Sequence, residues 1–155
     1  MKNIEIKKLD SVFLKVHFAE FYSLFAENTR GHEPDKRISD EYIQTKANEI
    51  FSYIDADNSI ILGAIYDNKL IGVLWSYKRV FMEEKRIYIN TLIVNEEYRG
   101  LGIGKDLMNE IEKVALQNSI TTMDVSTATF KIDAIHFYEN LGYTSERIQF
   151  KKDLR

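Results

Sequence analysis

The spacing of apolar residues changes several times along the first half of the chain. Residues 3–9 alternate between apolar and polar side chains, which predicts a half-buried strand. After Asp10 and Ser11, which can cap a helix, apolar residues recur at helical spacing to about residue 28. Residues 31–35 then indicate a loop. A second helix is predicted after Ser39, with the apolar stripe Ile43, Ala47, Ile50 and Ile54.

The second half begins with a block of strands. Residues 60–66 and 70–77 flank a hairpin signal at residues 67–69, and residues 86–94 form a third strand. A helix with the stripe Ile103, Leu107, Ile111 and Val114 follows, and then a strand at residues 120–126. A short helix ends at Gly142, and one or two strands are predicted over residues 143–154. This order predicts an α/β (α+β) domain with a mixed, mostly antiparallel sheet of six to seven strands and about four helices.

Length and composition narrow the class of protein. The 155 residues are predicted to form one domain, 1–155, and the net charge of −3 gives no basic excess for nucleic acid. Without cysteine the chain has no disulfide, no zinc-binding thiolate and no thiol nucleophile, and we expect no bound metal. No run of 18 apolar residues and no signal-peptide pattern occurs, so we expect a cytoplasmic protein without a membrane partner.

Three of the seven glycines lie in the stretch YRGLGIGK, residues 98–105, where a predicted strand turns into a helix. Two phosphate-binding patterns fail at defining positions. A dinucleotide-binding G-x-G-x-x-G would need glycine where Lys105 lies, and a P-loop would need other residues than Arg99 and Asp106. A glycine-rich loop at a helix start nevertheless presents unpaired backbone N–H groups, which suit a phosphate.

The remaining pattern is R-x-x-G-x-G, from Arg99 to Gly104, and it resembles the acetyl-CoA signature of the GNAT superfamily of N-acyltransferases. The lead-in LIVNEEY, residues 92–98, is similar to the family's L-x-V-x-P-x-Y, with asparagine in place of proline. The stretch AIHFYENLGY, residues 134–143, is similar to the family's A-x-x-F-Y-E-x-x-G-F/Y. The ordered pair of motifs is much more specific than either one alone.

The resemblance implies a binding site for acetyl-CoA between two splayed strands, residues 86–94 and 120–126. The pantetheine arm would pair with the backbone of the first strand as though it were an added strand. The pyrophosphate would bind to the glycine loop. The residues that the resemblance assigns to the cofactor are Leu92, Ile93, Val94, Arg99, Gly100, Leu101, Gly102, Ile103, Gly104, Lys105, Phe137 and Tyr138.

The resemblance also assigns catalytic roles. Tyr138 matches the tyrosine that protonates the departing thiolate, and a phenol with an ordinary pKa near 10 is protonated at neutral pH. Asn90 and Thr91 stand where many members carry a carboxylate base, and neither accepts a proton. The alternatives for the base are Tyr88, Asp124, Glu83 and Glu84. Two further departures from the family are Lys131, where an asparagine often contacts CoA, and a lengthened segment at residues 126–130.

The expected reaction is direct attack of a primary amine on acetyl-CoA within a ternary complex, with a small-molecule or peptide amine as the acceptor. Residues that could surround a cationic amine are Phe25, Glu33, Asp35, Tyr77, Glu83 and Glu84. The alternative is a non-catalytic CoA-binding sensor or regulatory module of the same fold. A homodimer formed through edge strands near residues 143–154 is also expected.

Overall fold

The computed structural model describes residues 3–155, and two tight hairpin turns organise its sheet. Asp67 and Asn68 have positive φ angles of 49° and 58°, as a two-residue type I′ turn requires, and Met82 and Glu83 have 48° and 67°. The strands are β1 (Glu5–Lys8), β2 (Ser59–Tyr66), β3 (Lys69–Phe81), β4 (Glu84–Val94) and β5 (Thr122–Val125). Their order is β1-β2-β3-β4-β5, antiparallel except for the parallel pair β4 and β5.

Capping residues set the starts of two helices as the sequence predicts. Asp10 Oδ1 accepts the N–H of Phe13 at 2.8 Å, and Ser39 Oγ accepts the N–H of Tyr42 at 3.1 Å. Gly142, with a φ of 94°, follows the end of the last helix. The helices are α1 (Ser11–Val16), α2 (Phe18–His32), α3 (Asp40–Asn48), α4 (Ile50–Tyr53), α5 (Ile103–Gln117) and α6 (Ile132–Asn140).

Apolar side chains are buried on both faces of the sheet. Ile61 and Val73 lie in a cluster with α1 to α4, whereas their neighbours Leu62 and Leu74 lie in a second cluster with α5. Alternate side chains of a strand point to opposite faces, so helices cover the central strands on both sides. None of the helices in residues 3–155 has the length and apolar character needed to cross a membrane.

Three expectations about the elements are corrected. The sheet of residues 3–155 has five strands rather than six to seven, because residues 143–154 are not in a strand. β5 offers this segment an edge of only four residues, and the segment is held instead by a side-chain pair between Arg86 and Glu146, with N···O distances of 2.7 and 2.8 Å. The predicted four helices become six because the first two are each interrupted at one residue, His17 and Glu49.

The third correction concerns the loop predicted at residues 31–35. Helix α2 continues through Gly31 to His32, although glycine inside a helix costs about 1 kcal/mol relative to alanine. A Cβ at Gly31 would lie 3.6 Å from Lys131 Nζ, so the lysine packs against this last turn. The helix therefore ends later than local propensity predicts, with Lys131 beside its last turn.

Candidate active site

Strands β4 and β5 form a fork. Arg86–Ile89 of β4 pair with Thr122–Val125 of β5, and the pairing stops there. β4 continues to Val94, still paired with β3 as far as Gly72. The last five residues of β4 therefore present one edge that is not bonded to another strand. This is the splayed strand pair that the sequence led us to expect.

A β-bulge lies at the point where the fork opens. Trp75 of β3 pairs with Thr91, and the next residue, Ser76, pairs with Ile89, so Asn90 has no partner in β3. The side-chain amide of Asn90 donates to Thr91 Oγ1 at 3.2 Å. An extra residue of this kind bends a strand and increases its twist. The bulge thus lies immediately after the last pair that β4 shares with β5.

A cavity of about 60 Å³ lies in this fork. It is bounded by β4, the end of β5, the start of α6 and the last turn of α2. Among the described residues that line it, three side chains titrate and none is an Asp or Glu. The lining residues are Asn28, His32, Ile89, Asn90, Leu92, Val125, Ser126, Thr127, Lys131, Ala134 and Tyr138.

Tyr138 reaches the cavity from α6 and is fixed by aromatic neighbours. Its ring makes edge contacts with Phe137 and Tyr143, at centroid distances of 5.1 and 5.7 Å. Burial, with a smaller contribution from Tyr88, raises the pKa of Tyr138 to about 12. The expectation of an ordinary pKa near 10 is therefore wrong. The phenol is a proton donor throughout the physiological range, and it is a weaker acid than an exposed tyrosine.

His32 enters the cavity from the opposite side, as the last residue of α2. Its side chain is half-buried. Burial lowers the pKa of His32 below its ordinary value, the charge of Lys131 lowers it further, and Glu33 opposes both. The imidazole is therefore neutral at neutral pH and able to accept a proton.

The glycine loop opens helix α5 next to the fork. Gly100 and Gly102 have φ angles of 78° and 81°, a region that favours glycine. The first helical bond joins the N–H of Asp106 to the carbonyl of Gly102 at 3.0 Å, so the N–H groups of residues 103–105 have no acceptor inside the helix. A bulky residue at Gly102 would strain the backbone and would disturb the fold together with any ligand.

The side chains of this loop have different surroundings. Leu101 and Lys105 are exposed, whereas Ile103 is buried in the core. A Cβ at Gly104 would lie 3.4 Å from the ring of Phe137, so glycine lets α6 approach α5 closely. Because the side chain of Ile103 is buried, this residue can contact a ligand only through its backbone.

Arg99 is already bonded within the protein. Its Nε donates to the carbonyl of Val94 at 2.9 Å, and its guanidinium forms an ion pair with Glu27 of α2. These bonds tie the glycine loop to β4 and α2. One of them uses the carbonyl of Val94, a residue whose backbone the resemblance assigns to the pantetheine arm.

None of the four expected bases lines the cavity in the described structure. Asp124 is paired with Arg79 and Arg86, and Tyr88 packs against Tyr77 at a centroid distance of 5.4 Å. Glu83 and Glu84 are exposed at the turn between β3 and β4.

The residues expected around the acceptor are also absent from the described lining. Phe25 is buried against Trp75, while Glu33 and Asp35 are exposed beyond the end of α2. Asn28 and His32 do line the cavity, and the sequence analysis missed both. Their four-residue spacing was a usable signal, but it is helical only if the helix continues through Gly31.

Comparison with known proteins gives matches over most of the chain. A family model described as "Acetyltransferase (GNAT) family" matches residues 18–143. Human N-acetyltransferase 8B is 25% identical over 114 residues, 72% of this chain and 50% of that protein. N-acetylaspartate synthetase of Xenopus tropicalis is 28% identical over 91 residues, 59% of this chain and 33% of that protein. The chain thus spans between a third and a half of the length of these relatives.

Solved structures agree in fold. The aminoglycoside N-acetyltransferase AAC(6′)-Iy in complex with CoA superposes with a TM-score of 0.76 at 17% identity, over 100% of this chain and 97% of that one. The same enzyme with a bisubstrate analogue, CoA-S-monomethyl-acetylneamine, gives a TM-score of 0.73 at 16% identity, over 97% and 98% of the two chains. At this level of identity the likeness shows the fold.

Proposed function

The chain belongs to the acetyltransferase (GNAT) family, and from that membership we propose that it transfers the acetyl group of acetyl-CoA to a primary amine. The observation that carries the proposal is the fork between β4 and β5. It opens a strand edge and a cavity lined by Tyr138, beside a helix start with unpaired N–H groups.

The pyrophosphate of acetyl-CoA is proposed to bind at the start of α5. The N–H groups of residues 103–105 and the positive end of the helix dipole converge there, and Lys105 adds a charge. Arg99 holds the loop in place through Val94 and Glu27 rather than facing the ligand with a free side chain. The CoA complex of AAC(6′)-Iy, a protein of the same fold, supports a cofactor in this family.

The pantetheine arm is proposed to follow the unpaired edge of β4. Ile93 and Leu92 lie there, beyond the last pair with β5, and their backbone can bond an added extended chain. The carbonyl of Val94 already accepts one bond from Arg99, at the end of this edge. This arrangement leads the thioester to the cavity between β4 and Tyr138.

The chain's own residues would perform three tasks in this reaction. Acetyl-CoA supplies an activated thioester, and a neutral amine attacks its carbonyl carbon within a ternary complex. A backbone N–H on the open edge of β4 would stabilise the oxyanion. Tyr138 would donate a proton to the departing sulfur. Because its pKa is raised, it must regain a proton from the reacting nitrogen in the same step.

The lining of the cavity limits the acceptor. Lys131 contributes a positive charge and the described lining contains no Asp or Glu, so a second cationic group on the acceptor would be repelled at this point. We therefore propose a small-molecule or peptide acceptor with a single amine near the reacting centre.

A thiol-release assay tests the proposed function. Purified protein is mixed with acetyl-CoA and, separately, with a monoamine, an amino acid, a peptide with a free N-terminus and a polyamine, and free CoA is followed with a thiol reagent. We expect steady CoA release with at least one of the first three and weaker release with the polyamine. Acetyl-CoA binding by calorimetry without release for any amine would indicate the non-catalytic CoA-binding module instead.

A further inference from the structure

His32 occupies a position from which it can meet an amine bound in the cavity. It is the last residue of α2, and Phe21, Leu24 and Phe25 anchor that helix in the core. The imidazole lines the same cavity as Tyr138 of α6, and α2 and α6 pack against opposite faces of the sheet. An acetyl-accepting amine in this space would lie between the two side chains.

The groups around the imidazole favour its neutral form. Lys131 and Tyr138 line the same cavity, and Glu33 follows His32 in the chain. Asn90 of β4 and two residues that follow β5, Ser126 and Thr127, line the same cavity and do not titrate. Burial and the nearby ammonium of Lys131 outweigh Glu33, so the pKa of His32 is lowered and the ring is not protonated at neutral pH.

The other titratable groups of the lining cannot accept a proton at neutral pH. Lys131 is a cation, and Tyr138 already carries its proton. Asn90 follows the last pair of the fork, where the family commonly has a carboxylate, and its amide is not a base. Asp124, the nearest carboxylate on β5, is held by Arg79 and Arg86.

We propose that His32 is the general base of the acetyl transfer and takes a proton from the ammonium form of the acceptor. The proposal rests on the acetyl transfer proposed above. His32 removes one proton from the ammonium, and the freed electron pair forms the C–N bond at the thioester carbonyl. The carbonyl electrons move to oxygen and return as the C–S bond breaks. The nitrogen passes its second proton to Tyr138 as Tyr138 gives its own proton to sulfur, and the proton on His32 passes to solvent.

The test compares His32→Gln with His136→Gln. His136 lies on the exposed face of α6, outside the lining, and serves as the matched control. For each protein, kcat/KM is measured against pH with an amine that is almost wholly protonated at pH 7. CoA affinity is measured by calorimetry to show that the variants are folded and bind the cofactor.

We expect kcat/KM of the wild type to rise with pH and then to level off. The inflection should lie below the ordinary histidine pKa of about 6.5. His32→Gln should lower kcat/KM at pH 7 by about 10²–10⁴, the usual worth of a general base. Its profile should lose the inflection and rise about tenfold per pH unit, because only free amine then reacts. His136→Gln should behave like the wild type.

Two results would overturn the proposal, and they are distinguishable. The first is an active wild type together with a His32→Gln variant whose kcat/KM at pH 7 is within threefold of the wild-type value and shows the same inflection. This result removes only the role of His32 as the base. A wild type that releases no CoA with any amine removes the acetyl transfer as well. If His32→Gln does not fold, a titration of the wild-type imidazoles by NMR decides: His32 must titrate at the pH of the kinetic inflection.

Discussion

The two halves of β4 have the same regular backbone and opposite surroundings. Arg86–Ile89 are paired with a strand on each side, and Ile87 and Ile89 are almost fully buried. Beyond Ile89, Leu92, Ile93 and Val94 are paired on one side only and are half-exposed. The change takes place at a single unpaired residue, Asn90. One strand thus supplies both a rigid anchor and an open edge, because β4 continues beyond the last residue of β5.

The largest expected effect concerns the open half and Tyr138, the proton donor that we propose. Tyr138→Phe keeps the ring contacts with Phe137 and Tyr143 and deletes only the hydroxyl. We expect kcat to fall by about 10²–10⁴ while CoA affinity persists, because the proton moves only in the transition state. Steady-state kinetics and calorimetry measure the two quantities.

Tyr143→Phe provides the matched control for this prediction. Tyr143 packs against Tyr138 and is outside the cavity lining, so loss of its hydroxyl should leave kcat unchanged. Tyr138 would be merely a packing residue if Tyr138→Phe turned over within threefold of the wild type with chemistry limiting the rate. Equal losses in both variants would lead to the same conclusion.

The second prediction concerns the closed half. Ile87 is fully buried between β3, β5 and α5, so Ile87→Ala should lower the free energy of unfolding by about 2–5 kcal/mol. Urea unfolding measures this loss. Leu92→Ala, on the open half, should cost less stability and raise the KM for acetyl-CoA. The distinction between the two halves fails if Ile87→Ala weakens cofactor binding more than Leu92→Ala does.

The glycine loop at the start of α5 was predictable from the sequence because it depends on the local backbone. Its positive φ angles favour glycine, and the clustered glycines are visible in residues 99–104. The same holds for the turn at Asp67 and Asn68 and for the caps Asp10 and Ser39, since each rests on local geometry. The fork could be expected from the resemblance, while the bulge at Asn90 depends on the register of β3 against β4.

The side of the cavity formed by α2 could not be predicted from local sequence. His32 and Tyr138 line one cavity although more than a hundred residues separate them in the sequence, and His32 belongs to α2 only because the helix continues through Gly31. The bonds of Arg99 to Glu27 and Val94 likewise need tertiary placement. The strand expected at residues 143–154 failed because alternation of polar and apolar residues does not supply a partner edge.

A smaller effect tests the charge beside the open half. Lys105 lies in the first turn of α5, and Lys113 lies further along the same helix. Lys105→Gln should raise the Kd for CoA about two- to tenfold, since one charge near a pyrophosphate contributes roughly 0.5–1.4 kcal/mol. Lys113→Gln is the control and should have no effect. Equal Kd values for the two variants in calorimetry at low salt would move the pyrophosphate away from this helix start.

The smallest effect separates the buried phenol over the open half from an ordinary tyrosine. Burial raises the pKa of Tyr138 to about 12, so its protonated form is present below that value and is lost only as the pH rises through it. We therefore expect kcat to stay level between about pH 8.5 and 10.5, with an acceptor amine that is already neutral in this range. A phenol with a pKa near 10 would lose about half of its protonated form at pH 10. The measurement subtracts the hydrolysis of acetyl-CoA without enzyme and checks by circular dichroism that the fold persists. A twofold loss of kcat at pH 10 would show that the phenol titrates like a solvent-exposed tyrosine. It would contradict the burial of Tyr138 and its raised pKa.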